Sequence, residues 1–138
     1  MSPRPVVQVR QLGLAAYDVV TQLQQELFQR TIDQKIHNRR NPDAQMPTEN
    51  HLLFVEHPHV YTLGKSGDEN NLLVNDETLA EKGVTFFPTN RGGDITYHGP
   101  GQLVGYPILD LDCFFTDIHK YLRLLEECII ETLSLIHI

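Results

Sequence analysis

Tryptophan is absent, cysteine occurs only twice, and no apolar run approaches the ~20 residues of a membrane-spanning helix. The two cysteines, Cys113 and Cys128, lack Cys-x-x-Cys spacing, which argues against a disulfide-scaffolded mini-protein and a cysteine-built zinc site. Positive charge is also scarce: 11 Lys and Arg stand against 18 Asp and Glu, a net of −7, and no basic run exceeds Arg39-Arg40. A nucleic-acid partner needs a basic face to displace counterions, so none is expected, and no membrane partner is expected either. Met1-Ser2-Pro3-Arg4-Pro5 leads into Val6-Val7-Gln8-Val9 with no apolar stretch of signal-peptide length, which predicts a soluble, cytoplasmic protein. With 41% hydrophobic and 21% charged residues in 138, the chain reads as one globular domain spanning 1–138.

Residues 6–12 alternate Val7 and Val9 against Gln8 and Arg10, the period of a half-buried strand. From Tyr17, apolar residues at Val20, Leu23, Leu27, Phe28, Ile32 and Ile36 predict an amphipathic helix ending near Arg39, before Asn41-Pro42-Asp43. Residues 52–55 form a short apolar strand stopped by His57-Pro58, with residues 60–63 continuing it after the turn. A polar loop follows at 64–71, then a short helix capped by Asn75 and stopped by Gly83, then a strand over 84–87. Residues 95–98 and 103–109 predict two strands joined as a hairpin through Gly99-Pro100-Gly101. The period turns helical over 118–136, with Thr116 or Asp117 as cap and Cys128 on the apolar stripe, hence expected in the core. This order predicts an α+β fold, a mixed sheet with flanking helices. The last helix runs to His137 and Ile138 with no Gly, Asn or Pro to stop it, so an incomplete domain is expected.

The chemistry concentrates in Arg91-Gly92-Gly93-Asp94-Ile95-Thr96-Tyr97-His98-Gly99-Pro100-Gly101-Gln102, which holds four of the nine glycines. Loop N–H groups beside Arg91 could hold a carbonyl, carboxylate or phosphate; alternatively the glycines serve turn geometry alone. His98 is a candidate proton handler, and Asp94 either orients it or faces water. His57 and His59 are two apart and with His98 could be imagined around a metal, but no Asp, Glu or Cys falls at ligand spacing, so no metal is expected. No Gly-x-Ser-x-Gly elbow is present and Cys113 has no evident base, which leaves a pocket loop without a nucleophile.

Arg91-Gly92-Gly93-x-x-Thr96-Tyr97-His98-x-x-Gly101-Gln102-x-Val104-x-Tyr106 resembles the signature of the lipoyl(octanoyl) transferases. Glu56-His57-Pro58, Val60-Tyr61-Thr62-Leu63-Gly64, Asn71-Leu72-Leu73 and Pro107-Ile108-Leu109-Asp110-Leu111 extend the similarity from about Gln11 to the last helix. The resemblance implies the fold of the biotin and lipoate protein ligases and an acyltransferase that needs no cofactor. Such an enzyme moves an octanoyl group from octanoyl-acyl carrier protein, through a cysteine thioester, to a lysine of lipoyl domains in 2-oxoacid dehydrogenases and the glycine cleavage H protein. It further implies that Arg91, Gly92, Gly93, Asp94, Ile95, Thr96, Tyr97 and His98 line the substrate pocket. The catalytic cysteine and lysine would then lie beyond Ile138, since neither Cys113 nor Cys128 matches the nucleophile's motif. Two rivals are an ATP-dependent lipoate–protein ligase of the same fold, disfavoured because Asn90 precedes Arg91 and Gly99-Pro100-Gly101-Gln102 follows His98, and a non-catalytic acyl-binding module.

Overall fold

The computed structural model describes residues 4–136. Strand β1 (Val7–Leu14) lies parallel to β2 (Asn50–Glu56), and helix α1 (Tyr17–Arg40) connects them. Strand β6 (Val104–Ile108) pairs antiparallel on the other side of β2, completing a three-stranded sheet. His51, Leu53 and Val55 are buried while Leu52 and Phe54 are only half-buried, so period-two alternation turns one face of β2 inward. Leu27 of α1 seats there against Leu53 and Ile108, with Leu12, Leu23 and Tyr106 around them. Phe28, one residue and about 100° further round the helix, is 60% exposed instead of joining that stripe.

Strands β3 (Val60–Leu63), β4 (Thr85–Pro88) and β5 (Ile95–His98) form a second three-stranded sheet, with β4 parallel and β5 antiparallel to β3. Both sheets are mixed, as the sequence predicts, but they are two sheets, and two local expectations fall with that. The segment 60–63 does not extend β2, because His57-Pro58 breaks the strand and sends the chain into the other sheet. Nor do β5 and β6 form a hairpin: β5 pairs with β3 and β6 with β2. The connection begins with a turn in which Gln102 N–H donates to Gly99 C=O at 3.1 Å. Pro100 and Gly101 occupy its central positions, and Gly101 has φ +88°, the arrangement of a type II turn. Tight hairpins use the mirror-image turns, whose twist matches that of paired strands; this one lets them diverge.

Asn75 caps α2 (Asp76–Glu81) by accepting from Thr78 N–H at 2.9 Å, and Asp117 caps α3 (Ile118–Leu135) by accepting from Lys120 N–H at 3.0 Å. None of the residues of α3 is buried. Cys128 is therefore exposed, contrary to the core position its spacing predicts, because the described residues beside it, Leu109, Phe114 and Phe115 among them, leave an open apolar hollow at that helix face. His137 and Ile138, where the sequence shows no helix stop, lie outside the described residues.

Candidate functional site

The loop at 90–94 is drawn down onto β3 and the loop after it. The Arg91 guanidinium donates to Thr62 C=O at 2.9 Å, Thr62 Oγ1 at 2.8 Å, Asp94 C=O at 2.8 Å and Gly92 C=O at 2.8 Å. Thr62 is fully buried, so this cation satisfies an interior hydroxyl that would otherwise stay unpaired and adds a second donor to a carbonyl already within the β3–β5 ladder. Gly64 N–H donates to Asp94 C=O and Lys65 N–H to Arg91 C=O, zipping the two loops together. A Cβ on Gly64 would stand 2.1 Å from Gly93 C=O, so the approach requires glycine. Asp94 does not orient His98: its carboxylate accepts from Asp68 N–H, Ile95 N–H and the Asn71 side chain.

Alternation along β5 divides the remaining expected site residues. His98 lies near-parallel to the Tyr17 ring, with centroids 6.3 Å apart, whereas Tyr97 packs on Tyr61 across the sheet. Thr96 therefore shares the α1-facing side with His98, and Ile95 the opposite side with Tyr97. The expected residues thus lie around one strand end without facing one space.

Beneath His98 the chain assembles an aromatic junction between the sheets. His57, fully buried, sits edge-on to Tyr17 at 5.3 Å and to His98 at 5.8 Å, and Tyr17 also touches Phe87 at 5.4 Å. Its Nδ1 is 2.8 Å from Ala15 C=O, which only accepts, so Nδ1 carries the proton. In the neutral ring Nε2 must then accept, and Tyr106 O–H donates to it at 2.9 Å. Desolvation holds the His57 pKa below its ordinary value, with the nearby His98 charge acting in the same direction. Burial, reinforced by Tyr17, pushes Tyr106 up to about 12, so both protons stay fixed. His59 lies apart, its Nδ1 2.5 Å from Tyr97 Oη, and no metal-ligating cluster exists among the described residues.

Above this junction a cleft of about 680 Å³ opens between Tyr17, Thr21 and Gln25 of α1 and Phe87, Asn90 and Arg91. Neither cysteine is placed there. Cys113 Sγ lies 3.5 Å from Thr48 Oγ1, at the Asn50 end of β2. His57 follows the other end, on the order of 20 Å away by strand rise. Cys128 faces an apolar hollow beside Leu109, Phe114 and Phe115.

Sequence reasoning missed Tyr17 and Phe87, which look like ordinary periodic apolar positions, and gave Gln102 no task. Its amide Oε1 is 2.6 Å from His98 Nδ1, and the signal was present in the spacing: a type II turn after His98 brings the fourth following residue back to it.

The chain matches the model of the family described as Lipoyl protein ligase A/B catalytic domain over residues 18–138. It is 63% identical over 128 residues to an octanoyltransferase of Christiangramia forsetii, covering 93% of this chain and 54% of that one. To an octanoyltransferase of Flavobacterium johnsoniae it is also 63% identical, covering 93% and 55%. One of Solibacter usitatus is 49% identical over 91% of this chain and 52% of its own. The chain spans about half the length of the curated relatives it matches. Among solved structures, the crystal structure of P. falciparum LipL1 in complex with lipoate aligns with a TM-score of 0.46 at 20% identity, over 73% of this chain and 29% of that one.

Proposed function

Because the chain belongs to the lipoyl protein ligase A/B catalytic domain family, we propose that it forms the substrate-binding part of an octanoyltransferase of lipoate biosynthesis. The octanoyltransferase names of the relatives described above carry this reading. The donor would be octanoyl-acyl carrier protein and the acceptors lipoyl domains of 2-oxoacid dehydrogenases and the glycine cleavage H protein, in the cytoplasm. An enzyme thiolate attacks the octanoyl carbonyl; a new C–S bond forms, the old one breaks, and the carrier leaves as a thiolate that takes a proton from solvent. The acceptor lysine amine then displaces the enzyme sulfur, forming the amide and releasing a proton. Thioester exchange is nearly balanced in energy, so no ATP or metal is required.

In this reading the octanoyl chain lies in the cleft between α1 and β4, with Gly92, Gly93, Thr96 and His98 at its head. Arg91 and Asp94 brace the loop, while Ile95 and Tyr97 back the strand. Each methylene removed from water is worth about 0.8 kcal/mol. His98 meets the thioester carbonyl or a proton in transit. The nucleophile is a cysteine outside 1–138, a placement supported by the remoteness of Cys113 and Cys128 from His98.

Titrating the chain with octanoyl-pantetheine tests the binding role. A Cβ at Gly92 meets open space, so Gly92→Val leaves packing intact and obstructs only a ligand. Binding should weaken at least about tenfold, or 1.4 kcal/mol. Equal affinity in both proteins overturns the placement. Incubation with octanoyl-acyl carrier protein should leave the intact mass unchanged; an adduct lost on replacing Cys113 or Cys128 refutes the external nucleophile.

A further inference from the structure

We infer that Gln102 is a positioning residue that fixes which nitrogen of His98 carries the proton, leaving Nε2 as the hydrogen-bond acceptor and base. The inference rests on the reading that His98 faces the acyl group, but its geometry stands by itself. Gln102 Oε1 lies 2.6 Å from His98 Nδ1, and Gln102 Nε2 donates to Tyr97 C=O at 3.4 Å. A carbonyl oxygen cannot donate, so the amide must turn its NH₂ toward Tyr97 and its oxygen toward His98. An amide oxygen only accepts, so the proton on Nδ1 is required, and Nε2 of the neutral ring is bare.

The backbone prepares this arrangement. Gly99, Pro100, Gly101 and Gln102 form the type II turn, and Glu56 Oε2 accepts from Gly101 N–H at 2.8 Å, tying the turn to the end of β2. Tyr17 stacks on one side of the His98 ring and His57 meets it edge-on, so the ring is held on the sides Gln102 does not reach. His57 provides the internal parallel: Ala15 C=O fixes its Nδ1 proton, and its bare Nε2 accepts from Tyr106. The two rings therefore share one tautomer, but no side-chain partner fills His98 Nε2 among the described residues. That is the nitrogen a substrate would find free.

The test reads the imidazole nitrogens of His98 directly, by ¹⁵N–¹H correlation spectra of the 138-residue chain at a pH where the ring is neutral. Wild type should show the Nδ1–H form as the majority. Gln102→Leu removes the acceptor and should lose that majority to the Nε2–H form. Gln102→Glu keeps an acceptor oxygen and should retain Nδ1–H. Wild type as Nε2–H, or Gln102→Leu unchanged, overturns the inference; if Gln102→Leu fails to fold, the wild-type and Gln102→Glu spectra still decide. A merely structural Gln102 would leave the tautomer where it was. Octanoyl-pantetheine titrated into the same samples separates the two claims: a bound ligand with the wrong tautomer retires the positioning role, and the right tautomer without binding retires the functional reading.

Discussion

The first sheet closes on aliphatic side chains, Leu27 against Leu53 and Ile108, whereas the second buries Thr62 as deeply and satisfies it with the Arg91 guanidinium. Aliphatic packing is non-directional and spreads over many neighbours. A buried hydroxyl under a forked cation is held directionally, and it depends on a single partner. Each sheet buries both kinds, Asn50 and His51 on β2 and Val60 and Leu63 on β3, but the loop beside His98 is fixed by the directional Thr62–Arg91 contact, which suits a surface that must present particular atoms at particular places.

The comparison breaks most readily at Leu53. Leu53→Ala should cost about 2–5 kcal/mol in urea unfolding, the range for a buried leucine that leaves a cavity. A loss below about 1 kcal/mol would mean that the aliphatic cluster is not what holds the first sheet. Arg91→Met comes next, at about 1–3 kcal/mol, because Thr62 is left buried and unpaired. Amide exchange should quicken at Gly64 and Lys65, and Arg91→Lys should recover only part, since an ammonium lacks the planar fork. Unchanged exchange at those two amides would show that the loops hold together without the guanidinium. Asp94→Asn should cost about 1 kcal/mol and loosen the bond to Asp68 N–H first.

Acid is the mildest perturbation and separates the two ends of β2. Because the His57 pKa is lowered in the fold, the unfolded chain binds the proton more readily, and stability falls as pH drops below 6.5. Asp110 responds later. Burial raises its carboxyl, but hydrogen bonds from Lys35, Thr48 and Asp112 N–H outweigh that and hold it below 3.8, so its contribution is present above that pH and is lost as pH falls through the folded value. Lys35, raised above 10.5 by hydrogen bonds to Asp110 and Asp112, loses its contribution only on the alkaline side. Urea midpoints across this range should show two acid steps, and His57→Phe should remove the upper one alone.

Most elements were legible because their signals are local: α1 ends at Arg40, one residue past the predicted stop, and Asn75 caps α2 as its position indicates. The division into two sheets was not, since whether β5 turns back on itself or crosses over depends on the handedness of one turn and on partners about forty residues away. Glycine density marked Arg91 to His98, but only the backbone showed that Arg91 faces Thr62 and Asp94 faces Asn71. Cys128 was misjudged because helical periodicity reports which residues share a face and says nothing of what covers it.

The pairing of Val55 with Val104 carries one more consequence. Strands β2 and β6 are antiparallel neighbours, so topologically they are a hairpin whose connecting loop, residues 56–103, has swollen into the second sheet. The two necks of that insertion are stitched together where Glu56 accepts from Gly101 N–H. Closing a long loop costs little more than closing a short one, since the entropy grows only with the logarithm of its length. The second sheet is therefore an excisable module: joining β2 to β6 through a two-residue turn should leave β1, α1 and the Leu27–Leu53–Ile108 cluster standing, while His98 departs together with His57, Phe87 and Gln102, leaving Tyr17 behind on α1.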